Sequence, residues 1–117
     1  MARTVLIVDD HPSFRSSARM LLESEGFDVI GEAEDGAGAL TAVAELHPQL
    51  VLLDVQLPDM DGFQVAARLT ANGNCPLVIL VSSRGIEDIG PLAARSGALG
   101  FIPKAELSGE ALEALLP

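Results

Sequence analysis

"TVLIVDDHPSF", residues Thr4 to Phe14, sets the terms on which the rest of the chain is read. Five residues suited to a sheet interior, Thr4 to Val8, run straight into two adjacent carboxylates, Asp9 and Asp10, and then into Pro12. An apolar run without polar alternation marks a parallel strand covered on both faces. "LVLLD" (Leu50 to Asp54) and "LVILV" (Leu77 to Val81) have the same character. "FDVIGEA" (Phe27 to Ala33) and "GFIP" (Gly100 to Pro103) are weaker candidates, which gives five strands in all.

Segments with helical periodicity lie between the strands. Ser13 is placed to cap a helix in which Phe14, Ala18, Leu21 and Leu22 share one face, ending before Gly26. A second runs from about Gly36 to Leu46 with Leu40, Val43 and Ala44 inward, and stops before Pro48 because the residue preceding proline disfavours helical torsions. A third follows Gly62, with Phe63, Ala66, Ala67 and Thr70 inward, and ends around Asn72 and Gly73. A fourth, near Glu87 to Ser96, contains Gly90 and Pro91 and is expected to be short or to begin late. The last starts from Ser108 as N-cap, with Glu110 in its first turn, and reaches about Leu116. Five strand–helix alternations joined by short connections predict an α/β domain with a parallel sheet and right-handed crossovers.

With 117 residues the chain is long enough for one core and too short for two, so residues 1–117 are expected to form a single domain. The core must be aliphatic, since there is no tryptophan or tyrosine and only four phenylalanines. Seventeen acids against seven bases give a formal charge of −10, which repels phosphate backbones and argues against direct nucleic-acid binding. The single Cys75 excludes an internal disulfide and fits a reducing compartment. No apolar run approaches the length of a membrane span, and the start lacks the pattern of a secretory signal. The expected location is cytoplasmic, with no membrane partner.

Ligands of such sheets gather outside the carboxyl ends of the strands. Those ends carry Asp9 and Asp10, Asp54, Ser82 and Lys104. Any one of these residues alone reads as a solvated strand end or loop start; Asp9, Asp10, Asp54 and Lys104 in register at one rim read as a site. Converging carboxylates repel one another and need positive charge nearby. Hard oxygen donors suit Mg²⁺, here on Asp10 and Asp54 directly and on Asp9 through water. A carboxylate beside a divalent cation and an ammonium suits acyl phosphate formation, with Asp54 as nucleophile and Ser82 donating to a phosphoryl oxygen.

The motifs "LIVDDHP", "VLLDVQLPDMDGF", "LVILVSS" and "GALGFIPK" together resemble the receiver domain of bacterial two-component response regulators, over essentially the whole chain. The resemblance implies a flavodoxin-like, doubly wound five-stranded sheet of order 2-1-3-4-5 with five helices, in which the acid pair lies beside Asp54. It implies that Asp54 accepts a phosphoryl group from a histidine kinase or phosphotransfer protein, and that the protein turns over no other substrate beyond this self-phosphotransfer and autodephosphorylation. It implies Ser82 as the switch hydroxyl, Phe101 as the ring that follows it, and the backbone carbonyl of Gln56 as the remaining metal ligand. The face of the fourth helix, fifth strand and fifth helix would then carry the signal to an output, a partner or a second copy in a homodimer. "DDHPSFR" looks most like receivers that precede a LuxR-type helix-turn-helix output domain, and no such domain is expected within these residues.

One feature departs from the family. Its lysine is usually followed by proline through a cis bond, whereas Lys104 follows Pro103 and precedes Ala105, where a cis bond is disfavoured. Elsewhere, His11 beside two aspartates raises a transition-metal site, set aside because no second histidine or thiolate stands at a compatible strand end. Cys75 reads as a structural thiol and His47 as a helix-end residue. Gln56 and Arg84 flank the expected approach of water to the phosphoryl group. A dehalogenase-type phosphatase would need an acid where Gln56 stands, and a flavin carrier would need a phosphate-cradling loop where "DDHPSF" offers acids.

Overall fold

Residues 3–71, 75–83, 91–93 and 95–117 are described by a computed structural model of the chain. Five parallel strands, β1 (Thr4–Val8), β2 (Asp28–Ala33), β3 (Leu50–Asp54), β4 (Leu77–Ser82) and β5 (Gly100–Pro103), form one sheet in the order β2-β1-β3-β4-β5. They alternate with helices α1 (Pro12–Ser24), α2 (Gly36–Leu46) and α3 (Gly62–Leu69), a helical stretch α4 at 91–93 and 95, and α5 (Gly109–Leu115). This is the five-helix, doubly wound arrangement that the sequence implied. Residues 84–90, which carry Arg84, Gly85, Gly90 and the first part of the fourth expected helix, lie outside the described residues.

Period-two alternation splits the strand side chains between two cores. Leu6, Val8, Val51, Leu53, Val78 and Leu80 face α2 and α3, where they meet Ala39, Val65, Ala66 and Leu69. Val5, Ile7, Leu50, Leu52, Ile79, Val81 and Ile102 face α1 and α5, where they meet Ala18, Leu22 and Leu112. Both faces of the sheet are therefore covered, which is why the strands carry almost no polar residues until their ends.

Several expected details shift. Ser13 does not cap α1: the helix begins two residues earlier, at Pro12, with His11 at the N-cap and no side-chain capping bond. Proline's fixed φ suits the first helical position and costs no hydrogen bond there. Past the end of α1, Gly26 takes φ +90°, a conformation open to glycine. In α2 the inward series is Gly36, Ala39, Leu40 and Val43, and Ala44 is exposed. In α3 Val65, Ala66 and Leu69 are buried, Phe63 is half-buried, and Ala67 is exposed. The reason lies at Gly62, where a Cβ would stand 2.3 Å from the Asp54 carbonyl oxygen and 2.7 Å from Val55 Cα. That backbone contact fixes the rotation of α3 about its axis. α3 also stops at Leu69, earlier than expected, with Thr70 Oγ1 donating to Ala66 O at 2.8 Å; Asn72 and Gly73 lie outside the described residues. Ser108 caps α5 as expected, accepting from Ala111 N at 3.1 Å.

Among the described residues, no helix is long and apolar enough to cross a membrane. Cys75 is exposed, two residues before β4 begins.

Candidate functional site

The order of the sheet sets β1 against β3, pairing Val8 with Leu53, so the residues that follow emerge side by side. Strand parity then sorts them. Continuing Val5–Ile7, Leu50–Leu52 and Ile102 by two residues gives Asp9, Asp54 and Lys104, all on the α1/α5 side. Asp9 is fully buried and Asp54 is 3% exposed, whereas Asp10 is exposed.

Lys104 closes the gap between the two buried carboxylates. Its Nζ lies 2.6 Å from Asp9 Oδ2 and 3.3 Å from Asp54 Oδ2. The Asp54 contact is a hydrogen bond. The Asp9 contact is an ion pair without hydrogen-bond alignment, so Asp9 Oδ2 is a buried oxygen with no directed donor among the described residues. Lys104 thus reaches the acids without the usual proline after it, and the described residues contain no cis peptide bond.

The remaining oxygens are held by backbone. Asp54 Oδ1 accepts from Gln56 N at 3.2 Å, and Asp9 Oδ1 accepts from His11 N at 2.8 Å. The Asp9 carbonyl accepts from Arg15 Nη1. Burial pushes the Asp54 carboxyl up to about 6, against the opposing pull of the Gln56 N–H, with the Asp9 charge pushing the same way and Lys104 pulling it down. Burial also tends to lower Lys104, but its contacts with Asp9 and Asp54 outweigh this and raise it.

His11 occupies a place the sequence did not give it. Its Nδ1 is 2.9 Å from Asp9 Oδ1 and 3.1 Å from Asp10 Oδ1. Ligand atoms of Asp9, Asp10, His11 and Asp54 lie within 4.8 Å of one another. A donor set made mainly of carboxylates, one of them fully buried, fits a hard divalent cation such as Mg²⁺.

Ser82 is fully buried at the end of β4, one residue beyond Val81, the register partner of Asp54. It continues the opposite parity, Val78–Leu80–Ser82, and so comes to the rim from the α2/α3 side. Phe101 pairs in register with Leu80 and packs half-buried against that same core. Gln56 is exposed and bridges to Asp61. Arg84 lies outside the described residues.

Two contributors escaped sequence reasoning. Asp59 accepts from Gly36 N at 2.7 Å and Ala37 N at 2.9 Å, tying the loop after Asp54 to the N-terminus of α2. Those two N–H groups hold its carboxyl below the ordinary range. Phe14, read only as a core residue of α1, presents its ring to the Lys104 ammonium at 4.5 Å. Strand parity, followed as far as Lys104, is the signal that puts that side chain over α1.

Comparison with known proteins agrees with this geometry. A model of the response regulator receiver domain matches residues 5–116. BvgA of Bordetella pertussis is 40% identical over 114 residues, covering 97% of this chain and 54% of that protein. The DNA-binding response regulator MtrA of Mycolicibacterium smegmatis is 43% identical over 106 residues, 89% of this chain and 45% of that one. The chain therefore spans about half the length of the curated relatives it matches. Among solved structures, the signal receiver domain of NarL from Mycobacterium tuberculosis superposes with a TM-score of 0.83 at 37% identity, covering 97% and 96% of the two chains. A LuxR-family two-component response regulator from Aurantimonas sp. SI85-9A1 gives 0.88 at 27%, covering 98% and 85%.

Proposed function

The chain belongs to the response regulator receiver domain family, and on that footing we propose that Asp54 is its phosphoacceptor, loaded by a sensor histidine kinase or phosphotransfer protein. The observation that carries the proposal is the single ammonium of Lys104 spanning Asp9 Oδ2 and Asp54 Oδ2 at 2.6 and 3.3 Å. An Asp54 oxygen forms the new bond to phosphorus as the bond from phosphorus to the donor nitrogen breaks. Lys104 follows the growing negative charge, since it already touches the acceptor. Asp9, Asp10 and Asp54, with the Gln56 carbonyl, would hold Mg²⁺, which supplies charge neutralisation for the transferring oxygens. Lys104 and Ser82 act with Asp54 on the phosphoryl group, and the chemistry ends there: uptake and loss on one side chain, with no other substrate.

The acyl phosphate adds charge and acceptor oxygens at the rim. Ser82 turns toward them, and Phe101, packed on the same side of the sheet, follows into the vacated space. The face of α4, β5 and α5 then exchanges between two packings. A coupling of about 1–3 kcal/mol changes a partner's affinity roughly 5- to 150-fold. The partner is an output domain, a separate protein or a second copy of this chain. MtrA is a DNA-binding response regulator, which fits nucleic-acid contact made by an output region, because the charge of −10 opposes it here.

Incubation with acetyl phosphate and Mg²⁺ should add about 80 daltons by intact mass, lost on Asp54→Asn. An unchanged mass, or an equal gain by Asp54→Asn, would overturn the assignment.

A further inference from the structure

The position of Lys104 poses a problem of control, and its solution rests on the phosphoacceptor role of Asp54 just proposed. Lys104 opens a short 3₁₀ turn, Lys104–Glu106, and is followed by Ala105, so no proline ring stiffens the chain beyond it. Its side chain is nonetheless only 17% exposed and aims at two buried carboxylates. What lies against it is the ring of Phe14, with Nζ 4.5 Å from the centroid. That is inside the distance of about 6 Å over which a ring face attracts a cation.

Phe14 is well placed for this. It sits in the first turn of α1, the helix that follows the acid pair, and packs against the core that contains Ile7, Leu52 and Ile102. One short stretch, Asp9 to Phe14, therefore delivers one of the two carboxylates that Lys104 neutralises together with the surface on which it rests.

We propose that Phe14 is a positioning residue for Lys104, its ring face seating the ammonium beside Asp9 and Asp54. An ammonium has three N–H donors, and Asp54 takes one of them as a hydrogen bond. A ring face attracts the charge through its quadrupole and is tolerant of orientation, so the donors remain available to oxygen. The ammonium can turn from Asp54 Oδ2 to an incoming phosphoryl oxygen without leaving its seat. Leucine would fill the same space and bury as well, but offers no negative face.

The test follows wild type, Phe14→Leu and Phe14→Trp by intact mass against time with acetyl phosphate and Mg²⁺, together with the proton shifts of the Lys104 ε-methylene and the urea midpoint. Phe14→Leu is expected to stay folded with unchanged Mg²⁺ affinity, yet to take up phosphate about three- to tenfold more slowly. Phe14→Trp is expected to restore the rate. In the unphosphorylated wild type the Lys104 ε-protons should be shifted upfield by the ring, and the shift should vanish in Phe14→Leu. Wild type that gains no phosphate overturns the phosphoacceptor role of Asp54, and this inference with it. Wild type that gains phosphate while Phe14→Leu keeps pace, or ε-protons at their random-coil position in wild type, overturns the inference alone. Should Phe14→Leu unfold, the Phe14→Trp rate and the wild-type shift decide.

Discussion

Asp54 is a carboxylate that the fold makes expensive to ionise, and its pH dependence follows from that. Its folded value of about 6 lies above the ordinary 3.8, so between those values the folded state holds a proton that the unfolded chain has released. The stability this contributes is present in full below about pH 4 and is lost as pH rises through 6. The loss is of the order of 2–3 kcal/mol at 1.36 kcal/mol per unit. In the absence of divalent cations, Asp54→Asn should therefore be more stable than wild type in urea, with a larger advantage at pH 8 than at pH 5. Equal midpoints at both values would contradict the burial-driven shift. Much of this was legible in the sequence, because parallel strands send Asp9, Asp54, Ser82 and Lys104 to one rim whatever the details of packing. The part that was not legible depends on which way side chains lean. His11 folding back on Asp9 and Asp10 depends on how its ring turns within one short loop, and Phe14 meeting Lys104 is a contact between separate elements that spacing along one segment does not encode.

At the scale of elements, the sequence placed every strand to within a residue, most plainly the three central ones, whose apolar runs need two covered faces. Helix faces were harder. Ala44 and Ala67 were expected inward and are exposed, because alanine fits either face and carries little information about rotation. What decides the rotation of α3 is Gly62, which donates to Val55 O at 2.8 Å and leaves room for no side chain against the Asp54 carbonyl. Gly62→Ala should push α3 away from β3, with a cost of about 3 kcal/mol or more measured by urea unfolding. Phosphate uptake should fall along with stability, since the displaced backbone is that of the acceptor itself. A substitution without effect on either measurement would show that the loop yields freely. Asp59 reinforces the same joint from the other side by holding the N-terminus of α2.

Across the whole molecule the dominant fact is crowded negative charge. Ten excess charges occupy a body 30 × 30 × 29 Å across, so at low ionic strength even charges on opposite sides repel. Raising salt from about 0.01 M to about 0.15 M shortens the screening length from roughly 30 Å to roughly 8 Å. The urea midpoint should rise over that range; a fall would mean that attractive pairs such as Arg19 with Glu32, 2.8 Å apart, dominate instead. The parallel sheet also gives the molecule two unlike poles. Cys75 lies at the quiet one, exposed just ahead of β4, while the chemistry lies beyond Ser82 at the other end of that strand, some 20 Å away at about 3.3 Å per residue. With no tryptophan or tyrosine to give an optical signal of its own, the protein offers this lone thiol as a ready anchoring point for a dye, a spin label or a solid support, oriented so that the reactive rim faces outward and stays untouched.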